Sequence, residues 1–121
     1  MRILIVDDEE AVAEVLAESV RLQGHVPAVA RSGAEGLAAI DTIAPEAVFL
    51  DLVMPGLSGV ELLREIRQRH PDLSIVIVTG RAEPPDLAEI RRLGVTEIVE
   101  KPWPLKRLDE ALGRLRSGED S

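Results

Sequence analysis

The feature that most limits what this chain can fold into is an alternation of two periodicities. Five short apolar runs, at residues 3–6, 26–30, 47–50, 75–78 and 97–99, recur along the 121 residues. Each is too short for a helix, and their β-branched content favours buried strands. Segments with helical spacing lie between them. In the first, Val12, Val15, Leu16 and Val20 recur at three and four residues before Gly24 stops the pattern. The second opens with Ser32 and Glu35 in capping-box spacing and closes before Pro45. The third opens with Ser58 and Glu61 in the same way, continues through Leu62, Leu63 and Ile66, and stops at His70-Pro71. The fourth starts near Pro84-Pro85-Asp86 and ends at Gly94. The fifth starts near Pro104 and runs through Leu105, Leu108 and Leu112 to Leu115. Five strands alternating with five helices imply an α/β fold, a parallel sheet with helices on both faces. Pro27 falls within the second strand and cannot donate to a ladder, so that strand belongs at an edge. The doubly wound, flavodoxin-like order 2-1-3-4-5 places it there.

Composition narrows the classes. Twenty-two acids face 14 bases, a net charge of −8, which argues against direct nucleic-acid binding. The bases are thinly spread, with Arg64, Arg67 and Arg69, and Arg91 and Arg92, the densest groups. No basic amphipathic face suggests a lipid surface. With no cysteine, thiolate metal sites, disulfides and cysteine nucleophiles are excluded together. An apolar share of 45% argues against disorder. The first apolar run stops after four residues at Asp7-Asp8-Glu9-Glu10, too soon for a secretory signal. No run approaches the roughly 18 residues of a membrane span. A cytoplasmic protein is expected. Residues 1–116 are expected to form one domain, with 117–121 a polar tail or the start of a linker.

In a doubly wound sheet, ligands bind beyond the carboxyl ends of the strands. Asp7 and Asp8 follow strand one, Asp51 follows strand three, Thr79 and Gly80 follow strand four, and Lys101 and Pro102 follow strand five. Three carboxylates, a hydroxyl and an ammonium should converge there. Clustered carboxylates repel one another unless a cation binds. A hard divalent ion such as Mg²⁺ accepts one or two carboxylates together with waters and a phosphate oxygen. The set therefore reads as a Mg²⁺-assisted phosphoryl-transfer site. Asp51, on the central strand, is the nucleophile, since carboxylates can form aspartyl-phosphates. Taken singly, Asp8 could be a helix N-cap, Asp51 a turn residue before Met54-Pro55-Gly56, Thr79 a strand end and Lys101 a solvated charge. Independent bland roles do not account for all five lying at strand ends around one crevice.

These residues resemble those of the receiver domain of two-component response regulators, from Met1 to about Arg116. The matching features are Asp7-Asp8, the segment from Asp51 through Pro55-Gly56 to Ser58-Gly59, Thr79-Gly80 and Lys101-Pro102. The resemblance implies that Asp51 accepts a phosphoryl group from a histidine kinase. It implies that Asp7, Asp8, Asp51 and the backbone carbonyl of Val53 hold Mg²⁺. Thr79 would move toward the phosphoryl oxygens and Lys101 would pair with Asp51, then with the phosphoryl group. The Lys101-Pro102 bond is expected to be cis. The output surface would be the fourth helix, fifth strand and fifth helix, facing an output partner or a covalently linked effector domain, and it admits a homodimer. Such a protein is not an enzyme on other substrates; it catalyses only its own phosphorylation and dephosphorylation.

Three departures from the family pattern stand out. Ile98 replaces the aromatic usual three residues before the lysine, and isoleucine has no hydroxyl and no ring with which to gate partner binding in the usual coupling of threonine and aromatic. Pro84-Pro85 should make the fourth helix start late and run short. Val53 and Arg81 fill the two positions that tune phosphoryl lifetime, and imply slow self-dephosphorylation. Among other residues, His25 and His70 read as structural, Phe49 as core and Arg91-Arg92 as a solvated face. Trp103 reads as packing near the output surface. The alternative function is a degenerate receiver that works as a phosphorylation-independent interaction module. A Mg²⁺-dependent phosphatase of the haloacid dehalogenase type would need an acid at Val53.

Overall fold

The structure, a computed structural model, describes residues 1–51, 59–79, 84–95 and 97–100. Its elements in chain order are β1 (Arg2–Val6), α1 (Glu10–Leu22), β2 (Val26–Ala30), α2 (Gly33–Ile43), β3 (Ala47–Leu50), α3 (Gly59–Arg69), β4 (Ser74–Thr79), α4 (Pro84–Leu93) and β5 (Glu97–Glu100). The five strands form one sheet in the order β2-β1-β3-β4-β5, and every pairing is parallel. This is the expected flavodoxin-like topology, with β2 at an edge and Pro27 opposite Ile3. The expected fifth helix, the Ser58 cap and the Lys101-Pro102 bond lie outside the described residues.

The strands read as continuous apolar runs because they are covered on both faces. Ile3 and Ile5 of β1, Ala47 and Phe49 of β3, and Val76 and Val78 of β4 pack on one side with Ala13, Leu16, Ala17 and Val20 of α1. The alternate residues Leu4, Val6, Val48, Leu50, Ile75 and Ile77 pack on the other side with Ile40 of α2, Leu62, Leu63 and Ile66 of α3, and Ile90 of α4. Successive residues of a strand point to opposite faces, so each run feeds two cores. The packing is close enough that α2 requires a glycine against β1. A Cβ added at Gly36 would lie 3.1 Å from a methyl of Val6.

Local signals fix most helix ends. Ser32 caps α2, its Oγ accepting the Glu35 N–H at 3.1 Å. Its partner carboxylate reaches one residue further back than a capping box would, and accepts the Arg31 N–H at 2.8 Å. α2 ends at Ala44, in the left-handed region at φ 51°, just before Pro45. The late start expected for α4 does not occur. The helix begins at Pro84 and spans ten residues, because proline's fixed φ suits a first helical turn whose N–H groups need no intrahelical acceptor. Among the described residues, no helix is long and apolar enough to cross a membrane.

Candidate functional site

The register of the sheet carries two acids to the same level. β1 and β3 pair Val6 with Leu50 at their ends, and each chain then continues by one residue. The Asp51 N–H donates to the Val6 carbonyl at 3.0 Å, and the Asp7 N–H donates to the Ala30 carbonyl at 3.0 Å. Asp7 and Asp51 are therefore extensions of the ladder, fixed at the carboxyl edge of the sheet. Both are buried, at 1% and 2% exposure. Asp8 follows on the more open side. Carboxylate oxygens of Asp7, Asp8 and Asp51 all lie within 4.8 Å of one another, the one such cluster of potential metal ligands among the described residues.

The Asp7 carboxylate is also oriented locally. Its Oδ1 accepts the Glu9 N–H at 2.9 Å, an Asx turn that aims the side chain while the chain enters α1. This bond was not anticipated from the sequence, although an acid two residues before a helix start was a usable signal for it. It also bears on Asp8. The N-cap of α1 is Glu9, which makes no side-chain cap bond, so Asp8 does not serve as the cap residue of this helix. Three hard oxygen donors from two adjacent strand ends suit a small divalent cation that prefers carboxylates.

Thr79 is the last residue of β4 and pairs with Glu100 of β5, so its backbone lies at the same edge of the sheet. Val53, Arg81 and Lys101 lie outside the described residues. Ile98, in place of the usual aromatic, pairs with Ile77 and packs partly buried against the core on the α2–α4 side. Other polar and aromatic residues take ordinary roles. Ser32 caps α2, and Arg31 pairs with Glu10 at 3.2 Å across exposed surface. His25 is buried, with Nδ1 3.0 Å from the N-terminal amine. His70 lies 3.4 Å from Asp41. Phe49 is 1% exposed and belongs to the core. Arg92 pairs with Glu89 on its own helix at 2.7 Å, while Arg91 is exposed.

Fold and site together define a doubly wound α/β protein with an acidic cluster at the carboxyl edge of its central strands. The profile of the response regulator receiver domain family matches residues 3–113, and the chain belongs to that family. It is 36% identical over 117 residues to the response regulator MprA of Mycobacterium avium, covering 97% of this chain and 50% of that protein. It is 35% identical over 115 residues to the uncharacterized transcriptional regulatory protein YkoG of Bacillus subtilis, covering 95% of this chain and 49% of that one. The chain thus spans about half the length of these relatives. Among solved structures, a CheY-like receiver domain protein from Methanospirillum hungatei superposes with a TM-score of 0.92 at 28% identity, covering 98% of this chain and 96% of the other. The receiver domain of NtrX from Brucella abortus gives 0.87 at 34% identity, covering 95% and 98%.

Proposed function

We propose that this protein is a phosphoacceptor of a two-component phosphorelay, taking a phosphoryl group from a histidine kinase onto Asp51. The observation that carries the reading is the cluster of Asp7, Asp8 and Asp51, two of them buried, within 4.8 Å at the ends of adjacent strands. Asp7, Asp8, Asp51 and the Val53 carbonyl would hold the metal, and Mg²⁺ bound there would supply charge neutralisation for the transferred group. An Asp51 oxygen attacks phosphorus while the bond from phosphorus to the donor imidazole nitrogen breaks. The imidazole leaves with the electron pair, and Asp51 becomes an acyl phosphate. Lys101 pairs with the equatorial oxygens, and the Thr79 hydroxyl donates a hydrogen bond to them. The chemistry stops at the protein itself, which is a switch and not an enzyme on other substrates. Phosphorylation shifts an equilibrium of α4, β5 and the fifth helix expected from the sequence toward a form that engages an output partner, a linked effector or a second copy. The setting is the cytoplasm, where the kinase presents its donor histidine.

Incubation with Mg²⁺ and acetyl phosphate, read by intact mass, tests this. The chain should gain one phosphoryl group, and Asp51→Asn should gain none. An unmodified parent chain, or a variant modified as fully as the parent, overturns the proposal. The phosphorylated form should then decay slowly, over minutes or longer, because a valine side chain at position 53 cannot orient an attacking water and an arginine at position 81 would shield the group. A half-life of seconds with Mg²⁺ alone would contradict that role for the two residues.

A further inference from the structure

Arg67 does something that neither the acid cluster nor the core explains. It projects from the last turns of α3, and its guanidinium meets four backbone carbonyls from three places in the chain. Nη1 donates to the carbonyls of His70, at 3.1 Å, and Leu73, at 2.6 Å. Nε donates to those of Leu93 and Gly94, both at 3.0 Å, and Nη2 donates again to Gly94. Those acceptors are the end of α3, the turn leading into β4, and the end of α4. Helix C-termini leave carbonyls without intrahelical donors and carry partial negative charge. One planar cation with five N–H groups thus caps two helices at once. Gly94, at φ 81°, turns the chain out of α4 beneath it. Burial pushes the guanidinium below its ordinary pKa, while the Asp72 carboxylate favours its charged form.

Position in the sheet gives this cap a consequence. Leu73 immediately precedes β4, and Gly94 lies shortly before β5, so Arg67 works at the amino edge of the strands. The acid cluster lies at the opposite edge, about 20 Å away by the length of a six-residue strand. A second tie joins the same two helices along their exposed face. Glu89 of α4 bridges Arg64 of α3, at 3.2 Å, and Arg92 of its own helix, at 2.7 Å. Hydrogen bonds from Arg92 and then Arg64 hold the Glu89 carboxyl below its usual range.

We propose that Arg67 is the pivot of α4: it pins the Leu93–Gly94 end to α3, so that switching tilts the helix about this end instead of sliding it. The proposal rests on the phosphoacceptor reading for its trigger, but the pin itself is a property of the resting protein. It makes Arg67 a positioning residue, remote from the reacting atoms.

Amide hydrogen exchange, with and without Mg²⁺ and beryllium fluoride as phosphoryl mimic, tests it. In the parent chain the mimic should alter exchange in residues 86–90 several-fold and leave residues 91–95 unchanged. In Arg67→Ala without any mimic, residues 91–95 should exchange about tenfold faster or more, since the loss of charge-assisted bonds frays that end. With the mimic, the change should now spread along all of 86–95, while the rate of phosphorylation of Asp51 stays at the parent value. A merely structural role would lower the melting temperature without redistributing the response. If Arg67→Ala does not fold, Arg67→Lys decides the point, with a smaller acceleration confined to 91–95. Parent-like exchange at 91–95 in the folded variant overturns the pivot. So does a parent chain in which the mimic alters 91–95 as much as 86–90. A parent chain that neither responds to the mimic nor gains mass from acetyl phosphate sinks the phosphoacceptor reading instead, and the resting-state comparison still decides the pin.

Discussion

Asp8→Asn should move stability and metal binding in opposite directions. Without metal, the variant should melt on the order of 3–6 °C higher than the parent, which corresponds to about 1 kcal/mol for a domain of this size. The reason is electrostatic. Three carboxylates within 4.8 Å of one another repel, and removing the charge of the more exposed one relieves that repulsion with little loss of packing. The same change removes a hard anionic donor, so Mg²⁺ affinity should fall about tenfold or more. Scanning calorimetry in a chelating buffer and a Mg²⁺ titration read the two effects separately. A variant that loses both stability and affinity would mean that Asp8 is a structural residue, and that the cluster is not organised for a cation. The opposed signs are the mark of a site whose residues are held together at a cost to the fold, and the cation offsets that cost when it binds.

Phe49→Ala should have the largest effect on the fold itself, a loss of about 3–5 kcal/mol from the transfer and cavity terms combined. Phe49 is the largest fully buried side chain among the described residues, at 1% exposure, and sits on the central β3 among Ile3, Ile5, Leu16 and Val76. Small domains hold only about 5–15 kcal/mol in total. The thermal midpoint should therefore drop by on the order of 10–20 °C. Urea denaturation with an unchanged m-value would confirm that the loss comes from the packed state. A shift under about 1 kcal/mol would mean that α1 collapses onto the vacated space, and that the core on that side is looser than its burial indicates. Since Asp51 lies two residues further along the same strand, phosphorylation should weaken as well, through displacement of the strand end.

The two cases differ in how far they can be read from the sequence. Phe49 and its neighbours announce themselves, because β1, β3 and β4 are buried on both faces and so appear as unbroken apolar runs with sharp ends. Asp7, Asp8 and Asp51 were legible for the same reason, as the first charges after those runs. Other features depend on partners too distant to show a local pattern. The acceptors of Arg67 at Leu93 and Gly94 are backbone carbonyls 26 and 27 residues away, and any residue type there would supply them. The bond from Glu9 to Asp7 competes with a cap role for Asp8, and only the path of the chain into α1 decides between them. α4 opens at Pro84, within the stretch Pro84-Pro85-Asp86 where the sequence places its start, and the delay expected from the two prolines does not occur because a first turn accommodates them. At Ile98 the sequence identified the missing aromatic, and the structure adds that the isoleucine already packs against the inner core.

The proline in β2 has an effect on how the molecule behaves in company. The Val26 N–H donates inward to Met1, and the Ala30 carbonyl accepts inward from Asp7. Donors and acceptors alternate sides along a strand, so residues 26, 28 and 30 face β1 while 27 and 29 face solvent. Pro27 thus removes a donor from the open side only, where no ladder bond is lost. The strand also exposes Val26 and Val29, at 63% and 44%, one on each face of the sheet, which makes it an apolar, β-prone margin of the kind that recruits strands from other chains. With the outward donor gone from its middle, the margin offers a poor template, and the sheet resists lengthening into a fibre.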